Sequence, residues 1–170
     1  MATGDIKLVL PASVQATITV AGLASDSAVL IGRQSTVFDN STNKYLEALV
    51  AARFTTGTSP TAGRIELWAF GALNDAGPTY PDTFGATDAS VTATSRDITF
   101  SGCALVGSVS TDATSNRTYP IRPVALETLF GGDLPTLFGF FVVHNTVAAL
   151  NATAGNHGIW VSSRYRNVSP

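Results

Sequence analysis

The sequence has few charged side chains and no excess of either sign. Lys, Arg, Asp and Glu make up 13% of its 170 residues, where an ordinary soluble protein has about 25%. The formal net charge is −2, so no basic excess is available to neutralise phosphates, and we expect no nucleic-acid partner. A surface with so few charges is poorly protected against association. The composition therefore indicates a surface that a partner covers in part.

Cysteine and long apolar runs are also scarce. Cys103 is the only cysteine, which excludes an internal disulfide and a cysteine-based metal cluster, and we expect a buried, unreactive thiol. The longest apolar run, Leu137–Val143, has seven residues, whereas a membrane-spanning helix needs roughly 20. The N-terminus has neither the basic segment nor the apolar segment of a signal peptide. We therefore expect synthesis in the cytoplasm and no association with a membrane.

The sequence contains no motif for catalysis or for a bound cofactor. His144 and His157 are the only histidines, and a metal site or a triad would need both of them, or one with a carboxylate partner. The carboxylates stand singly along the chain, and no phosphate-binding loop or nucleophile elbow occurs. We therefore predict no catalytic residue, no cofactor and no metal ligand, and we interpret both histidines as hydrogen-bonded structural groups.

What the sequence does contain is short β-branched segments, separated by turn residues at intervals of about ten positions, as in sandwiches and barrels. Val14–Val20 alternates apolar and polar residues in the way of a half-buried strand. The very apolar segment Leu137–Val143 is predicted to be a central strand. Tyr119–Pro123 contains two prolines, which remove ladder donors, so it is an edge strand or a loop. Val124–Phe130 has helical apolar spacing and predicts a short helix.

The segment Tyr45–Phe54 fits a strand, and it also fits a helix with one apolar face. We favour the strand, because a loop with Gly and Pro separates it from the apolar segment Arg64–Phe70, as in a long hairpin. Across that hairpin, two acidic and two basic side chains would face each other: Glu47 and Glu66, Arg53 and Arg64.

The end of the segment Arg64–Phe70 breaks its own alternation. Arg64 and Glu66 occupy one side of the strand, and Trp68 and Phe70 continue on that same side. Because large apolar side chains are seldom left in water, we expect this end of the strand to be covered on both faces.

Together these segments predict an all-β fold, a jelly-roll-like β-sandwich of about eight antiparallel strands with one short helix. Residues 13–170 would form this single domain. Residues 1–12 would form either an N-terminal arm, which adds a strand to a neighbouring subunit, or the first strand of the chain's own sheet.

Several stretches of the sequence form a further pattern: Gly32–Thr36, Asp39–Asn40, Asn43–Tyr45, Thr58–Ala62, Ile65–Trp68, Tyr80–Asp82, Tyr119–Pro120, Leu129–Pro135, Val143–Thr146 and Ala149–His157. Over about residues 30–165 this pattern resembles small virion proteins of tailed bacteriophages, some of which decorate or cement the capsid with a jelly-roll-like fold. The resemblance implies a protein on the outer capsid surface that binds the major capsid protein at junctions of its subunits. It also implies stabilisation of the expanded head, self-association as a dimer or trimer, and no catalytic residue.

Sheet borders carry unpaired backbone groups and tolerate proline, so we expect contacts with neighbours there. The predicted contact residues are Ile6, Leu8, Leu10, Tyr119, Pro120, Ile121 and Pro123. Two alternatives stay open: a tail or neck structural protein, and a carbohydrate- or receptor-binding β-sandwich module of the virion. The second would need a platform of exposed aromatic side chains, drawn from Trp68, Phe70, Tyr80, Tyr119, Trp160 and Tyr165.

Overall fold

A computed structural model of the chain describes residues 6–74 and 76–168. Within these residues, eleven strands form two antiparallel sheets. The strands are β1 (Ile6–Val9), β2 (Val14–Gln15), β3 (Ile31–Gln34), β4 (Phe38–Asp39), β5 (Glu47–Thr55), β6 (Gly63–Gly71), β7 (Ala89–Thr92), β8 (Ala104–Thr111), β9 (Thr118–Ala125), β10 (Leu137–His144) and β11 (Gly158–Val168). Two short α-helices, α1 (Arg96–Gly102) and α2 (Leu126–Leu129), and one 3₁₀ turn (Ala154–Asn156) complete the described secondary structure.

The strand order is that of a jelly roll. One sheet runs β1-β11-β5-β9, with β2 also beside β11, and the other runs β7-β3-β10-β6-β8, with β4 also beside β10. The strands β1 and β2 share one position in the first sheet, β3 and β4 share one position in the second, and β7 is an added edge strand. The remaining eight positions, numbered in chain order, run 1-8-3-6 in the first sheet and 2-7-4-5 in the second. This order confirms the predicted all-β sandwich. The short extra strands and the helix α1 go beyond the prediction.

The structure contains four of the predicted strands, one of them shortened, and the predicted helix. β10 has β6 on one side and β3 and β4 on the other, so Leu137–Val143 is central as predicted. Tyr119–Pro123 lies in the edge strand β9, and Val124–Phe130 contains α2. Tyr45–Phe54 contains β5, which confirms the strand. Val14–Val20 was predicted to be one strand, but only Val14–Gln15 is paired as a strand.

The N-terminal segment pairs with the chain's own last strand. Ile6 lies opposite Val168, and Val9 lies opposite Tyr165. These residues therefore take the place of a first strand at the edge of the five-stranded sheet. Residues 1–5 of the proposed arm lie outside the described residues.

The main core fills the space between the two sheets. Alternate residues of the facing strands point into it, as the two-residue period of a strand requires. Its fully buried members include Val50, Phe54, Ile65, Leu67, Phe140, Val142 and Ile159.

A second, smaller core covers the outer face of the six-stranded sheet. Trp68 and Phe70 of β6 are buried there together with Phe141 and Val143 of β10. The connection between β6 and β8 lies over them, and its Phe84 stacks on Phe70 with the ring centroids 4.7 Å apart. The prediction that the end of β6 is covered on both faces is therefore confirmed.

The predicted hairpin between Tyr45–Phe54 and Arg64–Phe70 is wrong. β5 pairs with β11 and β9, whereas β6 pairs with β10 and β8 in the other sheet. The intervening loop crosses between the sheets, and inward residues of the two strands, such as Val50 and Leu67, pack in the main core from opposite sides. The expected ion pairs change accordingly, and Glu47 lies opposite Arg164.

The helix α1 was not predicted. Its segment has the β-branched and aromatic composition of a strand, but Ser95 caps its N-terminus by accepting a hydrogen bond from the Ile98 N–H at 3.2 Å. A buried ion-pair cluster then holds the helix against β6. Glu66, with 4% of its surface exposed, accepts hydrogen bonds from Arg96 at 2.8 Å and from the Trp68 indole at 2.9 Å.

The same glutamate also binds Arg64 at 2.6 Å. The Arg96 guanidinium lies 5.3 Å from the Trp68 ring centroid and 4.8 Å from that of Phe100. The cluster therefore combines charge-assisted hydrogen bonds with cation–π contacts. It connects the covering segment to the sheet below it.

We predict that Glu66→Ala lowers the free energy of unfolding by about 2–4 kcal/mol, because Arg96 would lose its carboxylate in a partly buried position. The matched control is Arg117→Ala, which removes an ion pair with Asp112 whose two side chains are about half exposed. We expect that change to cost at most about 1 kcal/mol. Urea unfolding measures both, and equal losses would contradict the structural role of the cluster.

Candidate functional site

The outer face of the five-stranded sheet is open, in contrast to that of its partner sheet. Along β5, the inward residues are buried and the outward ones, Glu47 to Arg53, are half-buried or exposed. No part of the described chain forms a second core over this face. We name this surface the Trp160 face and define it by its outward residues: Glu47, Leu49, Ala51, Arg53, Pro120, Arg122, Trp160, Ser162, Arg164 and Arg166.

Trp160 is held in place on this face. Its indole lies directly over Gly158, and a Cβ atom at that position would collide with the ring. Across the ladder, Gly158 lies opposite Arg53, whose guanidinium is 5.4 Å from the indole centroid. Arg53 is fixed in turn, because it donates a hydrogen bond to the Gly155 carbonyl oxygen at 3.0 Å. The ring is therefore preorganised on the sheet.

The arginines of the chain divide into two groups of four. Arg33, Arg64, Arg96 and Arg117 each form an ion pair with a carboxylate, and none of these pairs lies on the Trp160 face. The second group lies entirely on that face: Arg53, Arg122, Arg164 and Arg166. Among the described residues, no carboxylate is within 4 Å of a nitrogen of this second group.

Two carboxylates lie at the border of the face, and one of them, Glu47, belongs to it. Glu47 lies opposite Arg164 in the ladder, and Glu127 of α2 accepts a hydrogen bond from the Ala48 N–H at 3.1 Å. Among the described residues, four arginines against these two glutamates leave a positive excess on the face, whereas the net charge of the chain is negative. At the Arg164 end, a shallow pocket of about 190 Å³ adjoins Leu8 and Arg166.

The predicted contact residues lie at two opposite edges of this same sheet and do not form one patch. Leu8 and Leu10, at the β1 edge, are 57% and 66% exposed. The structure places Ile6 in β1 by its backbone pairing. A neighbour at this edge would therefore meet exposed leucine side chains.

The β9 edge offers fewer of the predicted contacts than the sequence indicates. Tyr119 and Ile121 point inward, with 7% and 6% exposure, and pack within the chain's own core. Pro120 and Pro123 are exposed, and they lack the N–H donors that would pair with another strand. A partner at this edge would therefore contact proline rings and Arg122.

Tyr119 has a structural role at the end of the sandwich. Its hydroxyl donates a hydrogen bond to the Asp112 carboxylate at 2.7 Å and accepts one from the Asp112 N–H at 3.1 Å. These contacts, with those of Thr114 and the charge of Arg117, hold the pKa of Asp112 down at about 2. The loop before β9 is thereby fixed to the strand.

The aromatic side chains considered for a sugar platform are not brought together. Trp68 and Phe70 are buried in the second core, where Tyr80 packs against Phe70. Tyr165 packs against Tyr45 at a centroid distance of 5.6 Å. Trp160 is the member of the set that lies on the open sheet face.

In the part of the chain that the structure describes, no three His, Cys, Asp or Glu side chains are grouped so that they could hold a metal ion. None of the helices there has the length and apolar character needed to cross a membrane. Cys103 is partly buried, and this burial, with the Asp82 charge nearby, raises the pKa of its thiol to about 12. Little reactive thiolate is therefore present at neutral pH.

Both histidines are buried at one end of the sandwich and join its loops. His157 Nε2 donates to the Asn151 carbonyl oxygen at 2.8 Å, and its Nδ1 accepts from the Thr55 N–H at 3.4 Å. His144 Nε2 donates to the Leu23 carbonyl oxygen at 3.0 Å. These bonds fit neutral rings, and burial lowers the pKa of both side chains below the ordinary 6.5.

We predict that the protein loses stability as the pH falls below about 6.5. There the unfolded chain binds protons at both histidines more readily than the folded chain does, so protonation favours unfolding. His157→Gln should flatten the decline between about pH 6.5 and pH 5, above the range in which carboxylates titrate. Urea unfolding across this range measures the slopes, and an unchanged slope in both His157→Gln and His144→Gln would contradict the assignment.

No model of a protein family matches the sequence, and no curated protein is similar to it. The function therefore has to be inferred from the fold and from the residues of the Trp160 face.

Proposed function

We propose that the chain is a structural virion protein that decorates the capsid of a tailed bacteriophage. In this role it lies on the outer capsid surface, binds at junctions of major capsid protein subunits and stabilises the expanded head. Copies of the chain associate as dimers or trimers. The observation that carries the proposal is the open Trp160 face, on a sandwich whose other outer face is already covered by its own chain.

The fold is compatible with this role. Jelly rolls recur in viral capsid proteins, and also in lectins and cupins, so the fold supports several functions and selects none of them. The resemblance of residues 30–165 to phage decoration proteins favours the first of these.

One outer face of the sandwich is covered and the other is open, as we expect of a protein that binds a shell through one side. The second core around Trp68 and Phe84 covers the outer face of the six-stranded sheet, so the chain itself closes that side of the molecule. The five-stranded sheet presents Trp160, Leu49 and four arginines at its surface, and the described part of the chain supplies no carboxylate within 4 Å of these arginines. A subunit of this kind can lie on a shell through one broad face and leave the other in solvent.

Such a subunit stabilises a shell by mass action. If it binds the expanded head and not the procapsid, its binding free energy adds to the stability of the expanded state. A dimer or trimer that contacts two or three shell subunits at once multiplies a modest contact through effective concentration. No reacting group is needed for this activity.

One observation favours a second candidate function, the carbohydrate- or receptor-binding module. Trp160 is fixed on an open face, and an aromatic ring held in that way can stack on a sugar. The separation of the other five aromatic residues from this ring makes it the weaker proposal.

The test is cosedimentation of the purified chain with heads of the phage whose genome encodes it. We expect saturable binding to expanded heads, weak or no binding to procapsids, and a higher temperature of head disruption when the sites are filled. Size-exclusion chromatography with light scattering should give a dimer or trimer. A monomer that binds neither form of the head would contradict the proposal, and a specific hit on a glycan array would favour the second candidate.

A tail or neck structural protein is separated from a decoration protein by its place in the particle. Cryo-electron microscopy of intact virions should show density for the chain over the capsid shell. Density confined to the neck or tail would overturn the capsid assignment.

A further inference from the structure

The Trp160 face has an apolar centre with arginines at both ends. Trp160 lies opposite Ala51, and Leu49 lies two residues further along β5. Arg53 and Arg122 are at one end of this centre, and Arg166 is at the other. Arg53 lies opposite Gly158, and Arg166 follows Gly158 by eight residues along β11. With a rise of about 3.3 Å per residue, the two ends are therefore about 26 Å apart.

This arrangement matches the composition of protein interfaces. Interface cores are depleted in lysine and acidic residues and enriched in Trp and Arg, which also dominate their binding energy. Trp160 is preorganised by Gly158 and Arg53, so little side-chain freedom is lost on binding. The face is therefore built to meet a surface with an apolar site for the indole.

The charges of the face indicate which charges the partner carries around its apolar site. Among the described residues, four arginines against two glutamates leave a positive excess on this face, whereas each of the other four arginines pairs with a carboxylate of the chain. Guanidinium groups pair with carboxylates in a two-pronged geometry. The pocket at the second arginine end has Leu8, Glu47, Arg164 and Arg166 among its lining residues and leaves room for a side chain of the partner.

We propose that the Trp160 face docks onto an acidic protein surface, with an apolar site for Trp160 between two groups of carboxylates. This deepens the proposed function and rests on it: in a virion, the acidic surface belongs to the major capsid protein. The same charges could attract nucleic acid. However, the net charge of −2, the bordering Glu47 and the apolar centre favour a protein surface over a uniformly charged phosphate chain.

The charge reversals Arg122→Glu and Arg166→Glu test the proposal, since both side chains are exposed. The matched control is Lys44→Glu, which makes the same change of charge on an exposed residue of the loop before β5, outside the sheet face. We expect each arginine variant to bind expanded heads about tenfold more weakly at low salt, and the control to bind as the unchanged chain does. Equal binding by all three variants would overturn the proposal.

Trp160→Ala separates the apolar anchor from the charges. We expect it to weaken binding at least about tenfold, also at high salt, where the arginine variants differ less from the unchanged chain. Thermal unfolding of each variant verifies that the fold is retained, and Trp160→Phe, which keeps an aromatic ring, should recover part of the binding. Binding by Trp160→Ala equal to that of the unchanged chain would contradict the anchor.

A second probe makes failure of this inference distinguishable from failure of the proposed function. Immobilised poly-L-glutamate supplies carboxylates without a capsid, and a single-stranded DNA oligonucleotide of equal charge supplies phosphates. We expect low-salt retention on poly-L-glutamate that both arginine variants lose and Lys44→Glu keeps. No retention, or tighter binding to the DNA, would overturn the acidic-protein partner even if heads are bound. Retention without head binding would leave the face assignment standing and reject the capsid role.

Discussion

Strand β10 is buried on both of its faces, and the rest of the molecule depends on that burial. Phe140 and Val142 point into the main core, while Phe141 and Val143 point into the second one. A strand that is apolar on both sides needs a layer over each side. The opposite sheet supplies one layer, and the long connection between β6 and β8 supplies the other.

This double burial makes the two outer faces of the sandwich unequal. The connection that closes the six-stranded sheet is held by an ion pair between the buried Glu66 and the partly buried Arg96, on the outer face of that sheet. The outer face of the five-stranded sheet receives no such cover from the described chain. It carries Trp160 and the four arginines that have no carboxylate within 4 Å among the described residues. Both the second core over β10 and the open face proposed for binding therefore result from the uneven distribution of apolar residues between the two sheets.

Much of the fold could be predicted from local patterns. Alternation, proline placement and apolar runs indicated the strand class, the central β10, the β9 edge and the short helix α2. The prediction of a hairpin between β5 and β6 was wrong, because a loop with Gly and Pro can join two strands of a hairpin and can equally join strands of different sheets. The helix α1 was missed, because Ile98 and Phe100 have strand-like composition and the Glu66–Arg96 contact that holds the helix joins residues 30 positions apart.

The sequence by itself determined that the chain is a two-sheet β-sandwich with scarce charge and a strand end covered on both faces. It also indicated that the proline-containing segment Tyr119–Pro123 does not lie in the middle of a sheet. Only the tertiary structure decided which strands share a sheet, and hence that Arg53 and Arg166 lie on one surface with Trp160 while Tyr119 and Ile121 turn inward. The physical reason is that alternation assigns residues to a side of their own strand, whereas the neighbours of that strand depend on packing between distant segments.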